Sequence, residues 1–144
     1  MLRAITMPAH PPSACNSRPW EFVVVENAAM RQSLSAMHPY CRSLPDASLA
    51  ILVCGAQPEL ANVPAEGFWV QDCACATENI LLQATELGYG TCWCGVYPHR
   101  ELANEVAKLV GVTSTPVSLI IVGKAAEAPK QRGWYDESRV RTLR

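Results

Sequence analysis

The residues of this chain that could do chemistry fall into two groups. The first is the loop at residues 11–20, PPSACNSRPW. Within it Ser13 and Asn16 can donate and accept hydrogen bonds, and Arg18 presents a planar fork of donors. Prolines bracket these side chains and stiffen the segment. A rigid loop with that donor set suits the polar edge of a flat heterocycle, or a phosphate. An ordinary turn-rich connection into a strand has the same composition, so spacing alone leaves both readings open. The second group is the seven cysteines and three histidines. Cys73 and Cys75, two apart on a helix, point about 200° from each other and cannot share a metal. Cys92 and Cys94, two apart on a strand, share a face. Two ligands do not make a zinc site, and C-x-C is not the usual C-x₂-C spacing. His10, His38 and His99 fall in loops or at a helix start, without helical pairing. No structural metal is expected. Neither a Ser-His-Asp nor a Cys-His arrangement is visible. Five of the cysteines sit inside apolar periodic segments and read as reduced, buried small hydrophobes.

The stretch at 67–96, GFWVQDCACATENILLQATELGYGTCWCGV, must position much of this. Trp69, Cys73, Ala76, Ile80, Ala84 and Leu87 recur at helical spacing, flanked by Val70, Ala74, Thr77 and Leu81. Asp72, Asn79, Gln83 and Glu86 form a polar stripe. A helix of about 20 residues spans roughly 30 Å, so this one is expected at the centre of the fold. Gly88 fits its C-terminal stop, and a strand is expected over 91–96. Before it, EFVVVE at 21–26 reads as a strand, Asn27 as the N-cap of a helix over Ala28–Met37, and LAILVCG at Leu49–Gly55 as a strand buried on both faces. After it, Pro98 is placed to start a helix that runs to Val110 with Gly111 as its stop, and VSLIIVG at 117–123 is the last strand. Trp20, Tyr40 and Trp93 offer stacking surface, although aromatic residues at such places more often fill cores. Strands alternate with helices, which predicts an α/β or α+β layer structure.

Composition sets the outer limits. A chain of 144 residues is most simply one domain with a sizeable core. A net charge of −1 leaves no basic footprint for nucleic acid. No run approaches the ~20 apolar residues needed to span a bilayer. The first residues, MLRAITMPAHPPSAC, lack the apolar core of a signal peptide, and the reduced reading of the cysteines makes a cytoplasmic chain the expected one.

Three segments together carry a resemblance. SACNSRPWEFVVV, the stretch from Gly67 to Pro98, and PKQRGWYDESRV are similar to corresponding segments of the FMN-dependent nitroreductase family, in the same order. The resemblance covers nearly the whole chain. It implies an α+β fold with a central mixed or antiparallel sheet flanked by helices around a long central helix. It implies a homodimer with FMN at the subunit interface. It also implies ping-pong hydride transfer from NAD(P)H to a small electrophile: a nitroaromatic, a quinone or an activated alkene. Carried over position by position, Pro12, Ser13 and Asn16 would contact the flavin from one subunit, and Arg18 stands where family members carry Gln or Arg. Cys94 and Gly95 would lie at the strand end near the ring, where a backbone N–H would stabilise reduced flavin. Arg132 would meet the phosphate, with Arg139 as the alternative. No side chain is assigned a catalytic role, because the flavin carries the chemistry.

The chain departs from the family in one respect. Members carry an arginine-rich motif and helix some two dozen residues before the P-S-x-x-N loop, whereas only twelve residues precede Ser13, and Arg3 is not at an equivalent position. The chain is therefore expected to lack that helix and motif. Losing two or three charge-assisted phosphate contacts would weaken FMN by roughly 10²–10³-fold. That departure motivates a second reading, a flavin-binding or dimerising module without turnover.

Overall fold

The structure is a computed structural model that describes residues 11–55, 67–128, 130, 133 and 135–144. Four strands and three α-helices alternate along these residues. They are β1 (Trp20–Val25), α1 (Ala28–Met37), β2 (Leu49–Gly55), α2 (Trp69–Glu86), β3 (Gly90–Gly95), α3 (Arg100–Val110) and β4 (Thr115–Gly123). Short 3₁₀ turns occur at Ala14–Asn16 and Glu137–Arg139.

The strands form one sheet in the order β1-β2-β4-β3, and every neighbouring pair is antiparallel. The α+β class expected from the sequence is therefore found, with a wholly antiparallel sheet among the described residues. β2 and β4 are the inner strands. All seven residues of β2 are buried, as its uninterrupted apolar run requires. Its side chains alternate between two cores. Leu49, Ile51 and Val53 face α2, in a cluster with Cys73, Ala76, Ile80, Ala84 and Ile120. Ala50, Leu52 and Cys54 face the other way, in a cluster with Leu34 of α1, Val106 of α3 and Leu119. The sheet is thus the middle layer of three. Pro116 has no N–H for the ladder, and the β2–β4 register shifts between Val53 and Cys54, where Cys54 meets Pro116.

Local signals account for most helix ends. Asn27 caps α1 by accepting a hydrogen bond from the Met30 N–H at 2.9 Å. Gly111 ends α3 in the left-handed conformation with φ 77°, and Gly88 follows α2 with φ 79°. Helix α3 departs from expectation by starting at Arg100. The His99 carbonyl takes the first helical bond, from Ala103 N–H, so Pro98 lies before the helix and not in its first turn.

The α2 core contains two buried hydroxyls. Thr77 Oγ1 and Ser118 Oγ are 2.7 Å apart, and Thr77 also donates to the Cys73 carbonyl. These bonds satisfy both groups and tie α2 to the middle of β4. No helix among the described residues is long and apolar enough to cross a membrane.

Candidate functional site

The loop ahead of β1 is wound tightly. Cys15, Asn16 and Arg18 all have positive φ, at 51°, 55° and 48°. Such angles are unfavourable for residues with a Cβ and persist only where surrounding contacts fix them. The contacts are visible. Ser13 Oγ accepts from the Arg18 N–H at 3.0 Å, the Ser13 carbonyl accepts from the Asn16 N–H at 3.0 Å, and Arg18 Nε donates to Asn16 Oδ1 at 3.0 Å. Pro12, Asn16 and Arg18 are exposed and Ser13 is half-buried, so the loop presents its polar groups outward.

Its link to the rest of the molecule is Asp72. The Ala14 N–H donates to Asp72 Oδ1 at 3.1 Å, across 58 residues of sequence. Asp72 is only 7% exposed, in the first turn of α2, and its Oδ2 is buried without a partner. Helical periodicity alone put Asp72 in the polar stripe with Asn79, Gln83 and Glu86. The structure turns it inward, because the loop's backbone needs an acceptor there. Asp72→Ala is expected to release the loop and speed proteolytic cleavage within it by roughly tenfold, the scale of one hydrogen bond to a charged group. Asp72→Asn keeps an acceptor oxygen and is expected to cleave at close to the wild-type rate. Equal cleavage of all three proteins would show that Asp72 does not anchor the loop.

Cys94 and Gly95 close β3, which is an edge strand of the described sheet. Val96 N–H donates to the Val117 carbonyl, which fixes the direction of alternation along the strand. Cys94, two residues earlier, bonds inward to β4, whereas Gly95 turns its own N–H and carbonyl to the free edge. The Gly95 carbonyl is taken by His38 Nε2 at 2.8 Å. Of the two expected N–H donors, only that of Gly95 is therefore directed away from the ladder.

The loop and Gly95 lie at the same end of the sheet. Trp20 pairs with Gly55 and Gly55 with Thr115, and Gly95 pairs with Ser118 a few residues along the same strand. They stand at opposite edges, however, three strand spacings or about 14 Å apart. Between them the Trp69 and Tyr97 rings meet edge to face, with centroids 5.2 Å apart. Gly55 lies directly under Trp69, where an added Cβ would come within 2.6 Å of the indole Cζ3. The cleft beside this pair has a volume of about 170 Å³ and is lined by Trp69, Tyr97, Arg100, Ala103, Asn104 and Thr115. That is small for a cofactor, since ligand pockets run from about 300 Å³ upward. Neither this cleft nor a larger one of about 390 Å³ at Pro98–Glu101 includes the loop or Gly95.

Of the other expected residues, Arg132 lies outside the described residues. Arg139 is exposed and pairs with Asp136 at 3.2 Å. The aromatic residues divide. Trp20 packs on the α2 side of the core, as expected. Tyr40 is 79% exposed and Trp93 is 40% exposed, because one sits in a surface turn and the other on the sheet edge.

All seven cysteines are free. Burial pushes the Cys54 and Cys73 thiols up to about 12, so both are inert core residues. Cys92 is exposed and Cys75 half-buried, contrary to the reading of these residues as core. Cys41 and Cys94 share a hydrogen bond that holds Cys41 below its ordinary value and raises Cys94, which keeps the proton.

The fold agrees with what the chain is similar to. The model of the nitroreductase family matches residues 35–124. A relative from Methanothermobacter thermautotrophicus, provisionally named NADH dehydrogenase/NAD(P)H nitroreductase, is 41% identical over 131 residues, covering 90% of this chain and 67% of that one. The chain spans about two thirds of the length of the curated relatives it matches. A solved structure from Clostridium acetobutylicum, provisionally named an NADH oxidase, superimposes with a TM-score of 0.90 at 31% identity, covering 99% of this chain and 87% of that one. An FMN-dependent nitroreductase from Clostridium difficile R20291 superimposes with a TM-score of 0.86 at 27% identity, covering 99% of this chain and 86% of that one. By family model, by a relative more than 40% identical and by fold, the chain belongs to the nitroreductase family.

Proposed function

We propose that this chain is an FMN-dependent oxidoreductase that carries hydride from NAD(P)H to a small electrophilic acceptor, such as a nitroaromatic, a quinone or an activated alkene, in ping-pong order. The observation that carries the reading is the loop at 13–18, wound through three left-handed residues so that its polar groups face outward. The donor set fits a flavin. The Asn16 amide, the Ser13 hydroxyl and the Arg18 guanidinium suit the carbonyls and ring nitrogens along the polar edge of isoalloxazine. Pro12 stiffens the approach. Gly95 offers an N–H with no ladder partner, and no side chain crowds it. Arg132, or failing it Arg139, would take the phosphate. When bound, FMN supplies the hydride and electron chemistry, and the chain binds it, orients it and keeps one face open to substrate.

The same geometry supports a homodimer. Loop and Gly95 stand about 14 Å apart at opposite sheet edges, and the two described clefts include neither. A second copy would bring its loop against Gly95 of the first and enclose the ring between them. Phe68, Leu82 and Leu87 are exposed large apolar residues on and beside α2, suited to burial between copies. The expected compartment is the cytoplasm.

The test is the visible spectrum of the purified protein, with FMN added if it is colourless. One flavin per chain, bleached by NAD(P)H under anaerobic conditions, is the expected result. A protein that stays colourless at high FMN overturns the assignment. Flavin that binds but is not bleached by either nicotinamide leaves a binding module without turnover.

A further inference from the structure

We propose that His38, Cys41 and Cys94 form a binding site for a thiophilic divalent metal of the zinc class. Their ligand atoms all lie within 4.8 Å of one another, and all three residues are buried. Sequence spacing did not reveal the group, because two ligands come from the turn after α1 and the third from β3, more than fifty residues later. The turn is closed by the Cys41 N–H donating to the His38 carbonyl at 3.1 Å, and it continues with Leu44 N–H donating to the Cys41 carbonyl at 3.0 Å. Cys94 is held opposite by its pairing with Leu119.

The imidazole is prepared for a metal. Nε2 faces a carbonyl, that of Gly95, at 2.8 Å and must therefore carry the proton. Nδ1 keeps its lone pair, which receives only a 3.2 Å bond from the Tyr40 N–H. A ligating histidine typically donates its other ring N–H to a carbonyl or carboxylate, which fixes the tautomer and orientation. The thiols are as lightly committed. Apart from the bond between them, Cys94 meets the neighbouring Cys92 thiol and the Tyr40 carbonyl, the latter at 3.6 Å. Ligands about 2.0–2.3 Å from a tetrahedral ion stand roughly 3.3–3.8 Å apart. The group needs to contract by about an ångström, which small side-chain rotations supply.

The ordinary alternative is a pair of core cysteines. Cys54 and Cys73 are that: buried thiols among apolar side chains. What distinguishes Cys41 and Cys94 is a buried imidazole within ligand distance, at a place where an aliphatic side chain would pack without polar partners. Two sulfurs and one nitrogen favour zinc over magnesium or calcium. Binding displaces one proton from each thiol, giving two thiolates, a neutral imidazole and a fourth position for water. Cys92 and Tyr40 are exposed neighbours of the ligands, so the group lies close to solvent. The metal would staple the end of α1 to the β3 edge, and the site requires no flavin.

The test is cobalt(II) titration of the reduced, flavin-free full-length chain. One equivalent is expected to give a thiolate-to-cobalt charge-transfer band and intense tetrahedral d–d bands, both lost when zinc is added. Cys41→Ala, Cys94→Ala and His38→Gln are expected to lose these bands at the same cobalt concentration, and Cys75→Ser to keep them. Zinc is expected to raise the Tm of the wild type but not of Cys94→Ala. No band at saturating cobalt overturns the proposal. So does a band that survives in both alanine variants and disappears with Cys15→Ser, which would place the metal on an exposed thiol. Should the variants fold poorly, X-ray absorption of the zinc-loaded wild type decides alone. Two sulfurs and one imidazole nitrogen support the site, and a shell of oxygen and nitrogen only overturns it.

Discussion

Gly95→Pro is expected to slow NAD(P)H oxidation by about 10- to 100-fold with the sheet intact, whereas Gly95→Ala stays within about twofold of wild type. The size follows from one hydrogen bond to a charged group, worth about 1.5–3 kcal/mol, and tenfold per 1.4 kcal/mol. Proline deletes the N–H and alanine keeps it. A Cβ at Gly95 meets nothing within 4 Å, so alanine is not crowded, and the residue does not have positive φ. Proline is tolerated on an edge strand where the N–H faces away from the ladder, and Gly95 is such a position. Its carbonyl, the one His38 holds, is retained. Stopped-flow bleaching of the flavin, with circular dichroism to confirm the fold, makes the measurement. Equal rates for proline and alanine would mean that the Gly95 N–H does not stabilise reduced flavin.

The largest stability effect is expected at Ile120. It is fully buried on inner strand β4, paired with Ile51 on one side and Trp93 on the other, and it packs in the α2 core. Truncation to alanine removes its transfer free energy and leaves a cavity between two layers that relax only partly. A loss of about 2–5 kcal/mol is expected, against about 0.5–1.5 for Ile120→Val. Small proteins hold only about 5–15 kcal/mol in total, so the urea midpoint should fall by a molar unit or more. Leu143→Ala, at an 86% exposed position, should leave the midpoint unchanged. An Ile120→Ala protein as stable as Ile120→Val would mean that this core is not packed as described.

Much of this architecture was legible because it depends on near neighbours. Asn27 three residues before Met30 is a cap on local geometry alone, and Gly111 ends α3 because a left-handed residue must. The unbroken apolar run of β2 announced a strand covered on both faces. What the sequence could not show were partners fixed only by folding. Asp72 has helical polar spacing, and nothing nearby reveals that its acceptor serves Ala14. His38 and Cys41 are three apart, a spacing open to inspection, but Cys94 joins them only through the sheet. Tyr40 and Trp93 were set against a preference of aromatics for cores, and a surface turn and an edge strand overrode it. The loop residues fall between these cases: their types were readable, and their left-handed winding was not.

Under the proposed function, the long-range hydrogen bond from Ala14 to Asp72 makes cofactor affinity a matter of populations. A ligand that recognises only the seated loop binds with an apparent dissociation constant equal to the intrinsic one divided by the seated fraction. A loop seated roughly one tenth of the time would bind about tenfold more weakly, with every contact to the ligand unchanged. Residue 72, in α2 and away from the loop's polar face, therefore sets how much of the loop's intrinsic affinity is realised. Substitutions there would tune flavin retention gradually, without altering the chemistry of the groups that touch it.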